Sequence, residues 1–509
     1  MTTPSHTTAH GDVPAIVQGG SLLLLASLFG NGINYVFGIF LGRALGPSQF
    51  GLYVLGLTLF NTVVFMAPLG IDRGMLKFVS EQLGLGQDDK ARRTIAQGVT
   101  MVAFFSLLFA LGLAASAGVI ASALYQKPEL AAALFFFSGI IPFAAITTVL
   151  LQALQAYRVV RYTVFIKYVW EPLAKLVLAA VLLQAGFGLY GVLAAMLFTH
   201  LASLGFALRP AGRIAGLGLR NALSRDHGNV KGLVAFCWPL TVADLFRVVA
   251  PRSDVMILGY WVASQEVGIY GAAFQTAAVL ALVAGAFEAL FAPIIGRLLA
   301  RQDLTALGKM YCAVSRWTLI FSAPMFSVML LFAGEILGLF GTDFKAGATC
   351  IAILVIGQLV HNAGGGAHTI LLMSGRSRTV MWNTVTLGVI LVGLNAVLIP
   401  RFGMVGAAAA TSGSLVIMTV TRVVEVWGLH GIHPLAWGLV KPGLAALLAA
   451  GAALSVKDWL DPGYFPLLAA AFGIAYVMLL ALFGLEEDDR QIVSMMYEKV
   501  RVAASPEAA

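Results

Sequence analysis

Charged residues are scarce in this sequence. Only 11% of its 509 residues are Asp, Glu, Lys or Arg, whereas 59% are hydrophobic. The mean hydropathy is +0.89. A water-soluble chain of this size needs far more surface charge, so the composition excludes a soluble globular protein. It is typical of a chain that lies in lipid.

Cysteine is equally scarce. The three cysteines, Cys237, Cys312 and Cys350, lie in apolar runs, where a thiol behaves as a small hydrophobe. We therefore predict neither a disulfide nor a metal site. The first fourteen residues contain no Lys or Arg and so lack the cationic region of a cleavable signal peptide. We expect the first helix to remain as an anchor.

The motifs of several enzyme classes are missing as well. The sequence has no nucleotide-binding loop and no convincing nucleophile–base pair. Its outward loops are very short, which argues against a membrane glycosyltransferase. We predict that the chain is not an enzyme and needs no cofactor. We likewise predict no ATP-driven activity within this chain.

About fourteen apolar runs are long enough to span a bilayer, and they predict an all-α integral membrane protein. Lys and Arg concentrate in the loops after even-numbered helices, such as the loop between Arg209 and Lys231. By the positive-inside rule, both termini lie in the cytoplasm and the chain is a multi-pass protein of the cytoplasmic membrane. The net charge of +8 thus reports topology, and we predict no nucleic-acid partner.

The sequence contains an internal repeat. Residues 41–53 (LGRALGPSQFGLY) align without gaps on residues 258–270 (LGYWVASQEVGIY), with Leu, two Gly and Tyr in register. The copies lie six predicted helices apart, so they share one orientation in the membrane, as in transporters built from parallel repeats. The repeat predicts two six-helix lobes in pseudo-twofold arrangement, rocking about a central cavity, although an inert duplication would leave the same trace.

The predicted domains follow from this repeat. They are an N-terminal six-helix lobe over 1–208, a cytoplasmic linker over 209–231, a C-terminal six-helix lobe over 232–428, and two additional helices with a cytoplasmic tail over 429–509.

Two stretches carry a family resemblance. The first is residues 41–53 with the downstream APLG at 67–70, and the second is residues 238–274 (WPLTVADLFRVVAPRSDVMILGYWVASQEVGIYGAAF) followed by FAPIIGRLLA at 291–300. These stretches resemble the polysaccharide-export flippases of the multidrug/oligosaccharidyl-lipid/polysaccharide exporter superfamily. The resemblance covers roughly the first twelve predicted helices.

The resemblance implies a flippase that moves an undecaprenyl-diphosphate-linked oligosaccharide to the outer leaflet, for O-antigen, capsule or exopolysaccharide. Its implied partners are that lipid-linked oligosaccharide, membrane lipid, a polysaccharide polymerase and sugar transferases. The two extra helices depart from the twelve-helix core and resemble the plan of lipid II flippases. Lipid II is therefore an alternative cargo. A proton- or sodium-coupled drug exporter of the same superfamily is another.

Ionisable residues inside apolar runs are costly and tend to face a cavity or a partner. On the fifth predicted helix, Lys167, Glu171 and Lys175 recur every four residues and share one face. We predict that the two lysines bind substrate. The alternative is an ion pair within the helix, with Lys167 reaching out to solvent.

The seventh predicted helix carries Asp244, Arg247, Arg252 and Asp254, with two prolines that interrupt it. We predict that Arg247 and Arg252 bind substrate, because a guanidinium can grip two diphosphate oxygens at once. A structural network of these acids and arginines is the alternative.

Isolated Glu288 on the eighth predicted helix could carry a proton or pair with an arginine of the seventh helix. We group Glu171, Asp244, Asp254 and Glu288 as ion-coupling or ion-pairing residues. His361 and His368 flank Gly364-Gly365-Gly366, for which we predict a hinge or a close-packing site and ordinary buried hydrogen bonds.

Overall fold

The computed structural model describes residues 12–214, 236–237, 241, 248–435, 437–457 and 465–484. These residues are almost entirely helical and include no strand, which confirms the predicted all-α membrane fold. The chain divides into two compact units, residues 1–271 and 272–509. The predicted linker and the predicted seventh helix lie largely outside the described residues, so the lobe boundaries stay predictions.

The described part of the first unit is helical throughout apart from brief turns. In order, its helices are α1 (Asp12–Met66), α2 (Ile71–Gly84), α3 (Asp88–Val119), α4 (Glu129–Ala156), α5 (Glu171–Gln184), α6 (Gly188–Ile214), α7 (Ser253–Trp261) and the start of α8 (Ser264–Ala277). A π-helical stretch, Val164–Trp170, leads into α5, and a 3-10 turn, Ala250–Arg252, leads into α7.

The second unit continues α8 and adds a further set of helices. They are α9 (Val279–Ala300), α10 (Leu304–Leu331), α11 (Ala333–Gly338), α12 (Ala348–Ala363), α13 (Ala367–Met373), α14 (Ser377–His430), α15 (Val440–Lys457) and α16 (Phe465–Phe483). The last two helices pack on α10 through a cluster of alanines with Phe472 and Tyr476. The Tyr476 hydroxyl donates to the Ile320 carbonyl at 2.9 Å.

Helix α1 is a hairpin. A straight helix of 55 residues would be about 80 Å long, far beyond a hydrocarbon core of about 30 Å. The chain leaves helical geometry at Gly46, where φ is 70° and ψ is 172°, values that glycine tolerates best. The rings of Phe37 and Tyr53, on either side of this glycine, lie 6.4 Å apart. The two arms therefore fold back on each other.

Helix α14 reverses in the same way. Its 54 residues contain one non-helical position, Gly403, with φ 56° and ψ −134°. A methyl group on Gly413 would lie 4.0 Å from the Leu394 side chain, nineteen positions earlier along the chain. Ten helices of the described chain are long and apolar enough to span a membrane, with α1 and α14 each falling in a single span. The total of fourteen spans stays a prediction.

The two copies of the sequence repeat contact each other. A Cβ added at Gly51 would collide with the carbonyl oxygen of Ser264, and one added at Gly268 would collide with the carbonyl oxygen of Pro47. Gly51 and Gly268 occupy the same position in the two copies, as do Pro47 and Ser264. The contact is therefore reciprocal, and it brings α1 and α8 together backbone to backbone.

A lysine side chain caps the C-terminal end of α7, next to the contact between the two repeat copies. The Lys127 ammonium, in the connection between α3 and α4, donates to the carbonyls of Gly259 at 2.5 Å and Val262 at 2.9 Å. The last carbonyls of a helix lack partners and carry negative partial charge, so a cation there is favourable. Burial lowers the pKa of Lys127.

We expect Gly268→Ala to destabilise the protein, because the added methyl group meets the Pro47 carbonyl and the helices cannot separate without losing contacts. Overpacking of this kind costs about 1 to 3 kcal/mol. Thermal unfolding of the purified protein in detergent measures the effect. The matched control is Gly285→Ala, since that glycine has no heavy atom within 4 Å of the added Cβ. Equal melting temperatures for the two variants would contradict the close crossing.

Candidate functional site

The π-helical stretch before α5 has a local cause. Pro172 lies at the start of α5 and cannot donate a backbone hydrogen bond. The helix widens over Val164–Trp170, and such stretches are frequent at functional sites. Helix α1 packs here, since a Cβ on Gly30 would lie 2.9 Å from the Tyr168 carbonyl oxygen. Lys167 and Glu171 flank this contact.

Lys167 and Glu171 form an ion pair. The Lys167 Nζ donates to Glu171 Oε1 at 2.9 Å, with 28% of the lysine side chain and 12% of the glutamate side chain exposed. The pair within one helix, which the sequence left as an alternative, is therefore present. The carboxylate of Glu171 is satisfied by Lys167 and not by Lys175.

Lys175 is held differently. Its Nζ donates to the amide oxygen of Asn34 on α1 at 2.9 Å and lies 5.6 Å from the centre of the Phe37 ring. Both partners are neutral, so in this part of the chain the ammonium has no carboxylate within ion-pair distance. Lys167 and Lys175 therefore share the predicted helix face but differ in their partners: Lys167 pairs with a carboxylate, and Lys175 is held by neutral groups.

His200 on α6 completes this cluster and was missed by the sequence analysis. It is buried, and its Nδ1 donates to the Met196 carbonyl at 2.9 Å, which fixes the proton on that nitrogen when the ring is neutral. The His200 ring interacts electrostatically with the carboxylate of Glu171. The sequence did contain a signal for His200, because it is the one ionisable residue in the middle of an apolar run.

Arg252 lines a pocket of about 410 Å³ in the first unit. The guanidinium has no hydrogen bond to any residue described here, which leaves its donors available to a ligand. Other residues around the pocket are Asn61, Val64, Phe65, Pro68, Asp72, Thr148, Val248 and Pro251. The 3-10 turn at Pro251 and the start of α7 set the direction of Arg252.

Asp254 has a structural role in this geometry. It is 1% exposed and accepts hydrogen bonds from the Tyr270 hydroxyl and from the Val255 backbone, both at 2.6 Å. Tyr270 is the last residue of the second repeat copy, so the pair ties α7 to α8. The other two candidates of the seventh predicted helix, Asp244 and Arg247, lie outside the described residues.

A second charged cluster lies in the second unit. Glu288 on α9 is half-buried, and it interacts electrostatically with Arg422 on α14 of the same unit. Arg422 also interacts with Glu425, whose Oε2 accepts a 2.6 Å hydrogen bond from the Asn383 amide. The sequence analysis missed Arg422 and Glu425, which are three apart on one helix face.

The two histidines of the second unit lie near Arg422. His361 Nδ1 is 3.1 Å from the Thr419 hydroxyl, and His368 Nδ1 is buried without a hydrogen-bond partner in the described part of the chain. Between them, α12 ends and Gly365 adopts φ 54°, with its Cα packed against Ser315. No group of three potential metal ligands occurs among the residues searched.

We expect Lys167→Ala to lower stability, because it leaves Glu171 charged and unpaired inside the protein. Removing one partner of a fully buried ion pair lowers the free energy of unfolding by about 3 kcal/mol or more. Because Lys167 is partly exposed, we expect a loss of about 3 kcal/mol or less. The double variant Lys167→Ala with Glu171→Ala should recover part of it. Denaturation of the purified variants measures this, and an additive double variant would show that the pair contributes nothing.

Comparison with known proteins agrees with this architecture. Residues 40–348, more than half of the chain, match the model of a family described as "Polysaccharide biosynthesis protein". Two proteins of Haloferax volcanii are similar in sequence. "Probable low-salt glycan biosynthesis flippase Agl15" is 23% identical over 78% of this chain and 80% of its own length. "Probable flippase AglR" is 28% identical over 33% of this chain and 36% of its own length.

Solved structures share the fold. The structure titled "Lipid II flippase MurJ, inward closed conformation" aligns with a TM-score of 0.75 and 12% identity, over 91% of this chain and 98% of that one. An inward-facing multidrug resistance transporter of the MATE family aligns with a TM-score of 0.66 and 14% identity, over 81% and 98%. At these identities the likeness shows the fold alone, an all-α multi-pass membrane fold. With its matched family model, the chain belongs to the polysaccharide biosynthesis protein family.

Proposed function

We propose that this chain is a flippase that moves an undecaprenyl-diphosphate-linked oligosaccharide from the inner to the outer leaflet of the cytoplasmic membrane for surface polysaccharide synthesis. The observation that carries the proposal is Lys175, an ammonium on helix α5 whose direct partners are an amide oxygen and an aromatic ring. The family and the flippase relatives from Haloferax volcanii support the same activity.

The physical argument concerns the diphosphate. Moving an isolated ion into a medium of low dielectric constant has an idealised cost of about 20 kcal/mol, so a diphosphate needs cations along its path. A lysine that is already neutralised, such as Lys167, contributes little to this. Lys175 and Arg252 have no direct carboxylate partner among the described residues and are suited to the task. We include Arg247 in the proposal because of its position in the sequence, near Arg252 on the seventh predicted helix.

The proposed cycle is alternating access of two lobes, 1–208 and 232–428, about a central cavity, with the linker 209–231 between them and two further helices over 429–509. Glu288 is the proposed ion-coupling residue, because Arg422 interacts with Glu425 as well and so keeps a counter-charge when Glu288 takes up a proton. Lys175 of the first lobe and Arg247 and Arg252 of the second lobe then contact the diphosphate, and Glu288 of the second lobe carries the proton. Polymerase and sugar transferases are the proposed partners that supply and consume the cargo.

Orientation gives the first test of this proposal. We expect tags at both termini and within 209–231 to be accessible only from the cytoplasm, because the Lys- and Arg-rich loops lie on that side. Protease protection or thiol labelling of tagged variants in intact cells and in inverted vesicles measures this. A linker exposed on the outer surface would reverse the map and the proposed direction of transport.

The central experiment uses Lys175. We expect Lys175→Ala to reduce flipping at least tenfold while the protein accumulates at near-normal abundance, because Glu171 keeps its partner Lys167 and no acid is orphaned. The measurement is the fraction of labelled lipid-linked oligosaccharide that reaches the outer leaflet of proteoliposomes.

Two controls accompany it. Lys309→Ala removes an exposed lysine of α10 and should leave flipping unchanged. Lys175→Arg preserves the charge and should retain part of the rate. Wild-type protein that exports a lipophilic cation but does not flip the lipid would favour a drug exporter, and an unimpaired Lys175→Ala variant would remove this lysine from the mechanism.

A further inference from the structure

The pocket beside Arg252 is assembled from four separate parts of the first unit. Asn61 and Phe65 come from α1, Asp72 from the first turn of α2, Thr148 from α4, and Arg252 from the turn before α7. Its volume of about 410 Å³ lies within the range of about 300 to 1,000 Å³ that is typical of small-molecule sites. It is large enough for a ligand of a few rings at most.

The polar groups of this pocket are mixed in kind. Asn61 both donates and accepts, Asp72 accepts, and Arg252 donates. The Thr148 hydroxyl donates its proton to the Ala144 carbonyl at 2.9 Å, so towards the pocket it offers lone pairs. Sugar hydroxyls donate and accept at once, and such a set of groups matches them.

The charged residues around the pocket are of both signs, with Arg252 basic and Asp72 acidic. Phe65, with 36% of its side chain exposed, adds an aromatic surface next to these polar groups. One face of a pyranose ring carries only C–H bonds and can lie flat on such a ring, while its edge carries the hydroxyls.

We propose that this pocket binds the pyranose ring that is joined to the diphosphate of the lipid-linked cargo. This inference rests on the proposed flippase function. Arg252 holds a diphosphate oxygen at the rim, Phe65 stacks on the sugar face, and Asn61, Asp72 and Thr148 engage its hydroxyls. The pocket thereby distinguishes a glycosylated lipid from the bare lipid diphosphate.

The test measures sugar binding and flipping separately. Saturation-transfer NMR of the full-length protein in detergent, with the methyl glycosides of glucose, galactose and N-acetylglucosamine as probes, reports binding without transport. We expect at least one probe to receive saturation from the wild-type protein, and Phe65→Leu and Asp72→Asn each to weaken that binding about tenfold or more. The same variants should slow flipping of lipid-linked oligosaccharide.

Matched controls are Phe104→Leu on the exposed face of α3 and Asp89→Asn in its first turn, which should change neither measurement. If Asp72→Asn does not fold, Phe65→Leu decides the question. A wild-type protein that flips lipid yet binds no probe, or variants that bind as wild type does, would overturn the sugar site and leave the flippase intact. The opposite outcome is also informative. If the wild-type protein binds a probe and the variants do not, but the wild-type protein flips no lipid, the sugar site stands and the flippase function is refuted.

Discussion

The backbone contact between the two repeat copies is the constraint on which the first unit depends. Gly51 and Gly268 approach so closely that each lies against the carbonyl of the partner segment, and no other residue type fits there. Tyr270 and Asp254 secure the second copy, and Lys127 closes the end of α7. Because the pocket with Arg252 is built from α1 and from the chain just before α7, its shape follows from how closely these segments are held.

The charged side chains of these clusters divide into those that have a direct partner and those that do not. Lys167 and Glu171 satisfy each other, and Asp254 is satisfied by a tyrosine and a backbone amide. These groups stabilise the fold and have little left to offer a ligand. Lys175 and Arg252 have no direct ion pair among the described residues, and a charge held in this way is costly unless it faces a cavity or a ligand. That cost is reasonable if an anionic cargo repays it during transport.

The sequence was sufficient for features that depend on local spacing. Hydropathy predicted the helical membrane fold, and a spacing of four residues predicted that Lys167 and Glu171 could meet. It could not predict that Lys175 meets Asn34, 141 positions away, or that Arg422 is the counter-charge of Glu288, since these pairings depend on which helices become neighbours. His200 was missed for the same reason. The repeat was visible in the sequence, but the contact between its copies was not.

The hairpins at Gly46 and Gly403 have a consequence for how the protein meets its surroundings. Each reverses direction around a single glycine, so no loop projects from the turn. Such a turn offers a protease no extended strand to cleave and an antibody almost no epitope. A partner protein that binds beside these turns would have to recognise this chain along its helices.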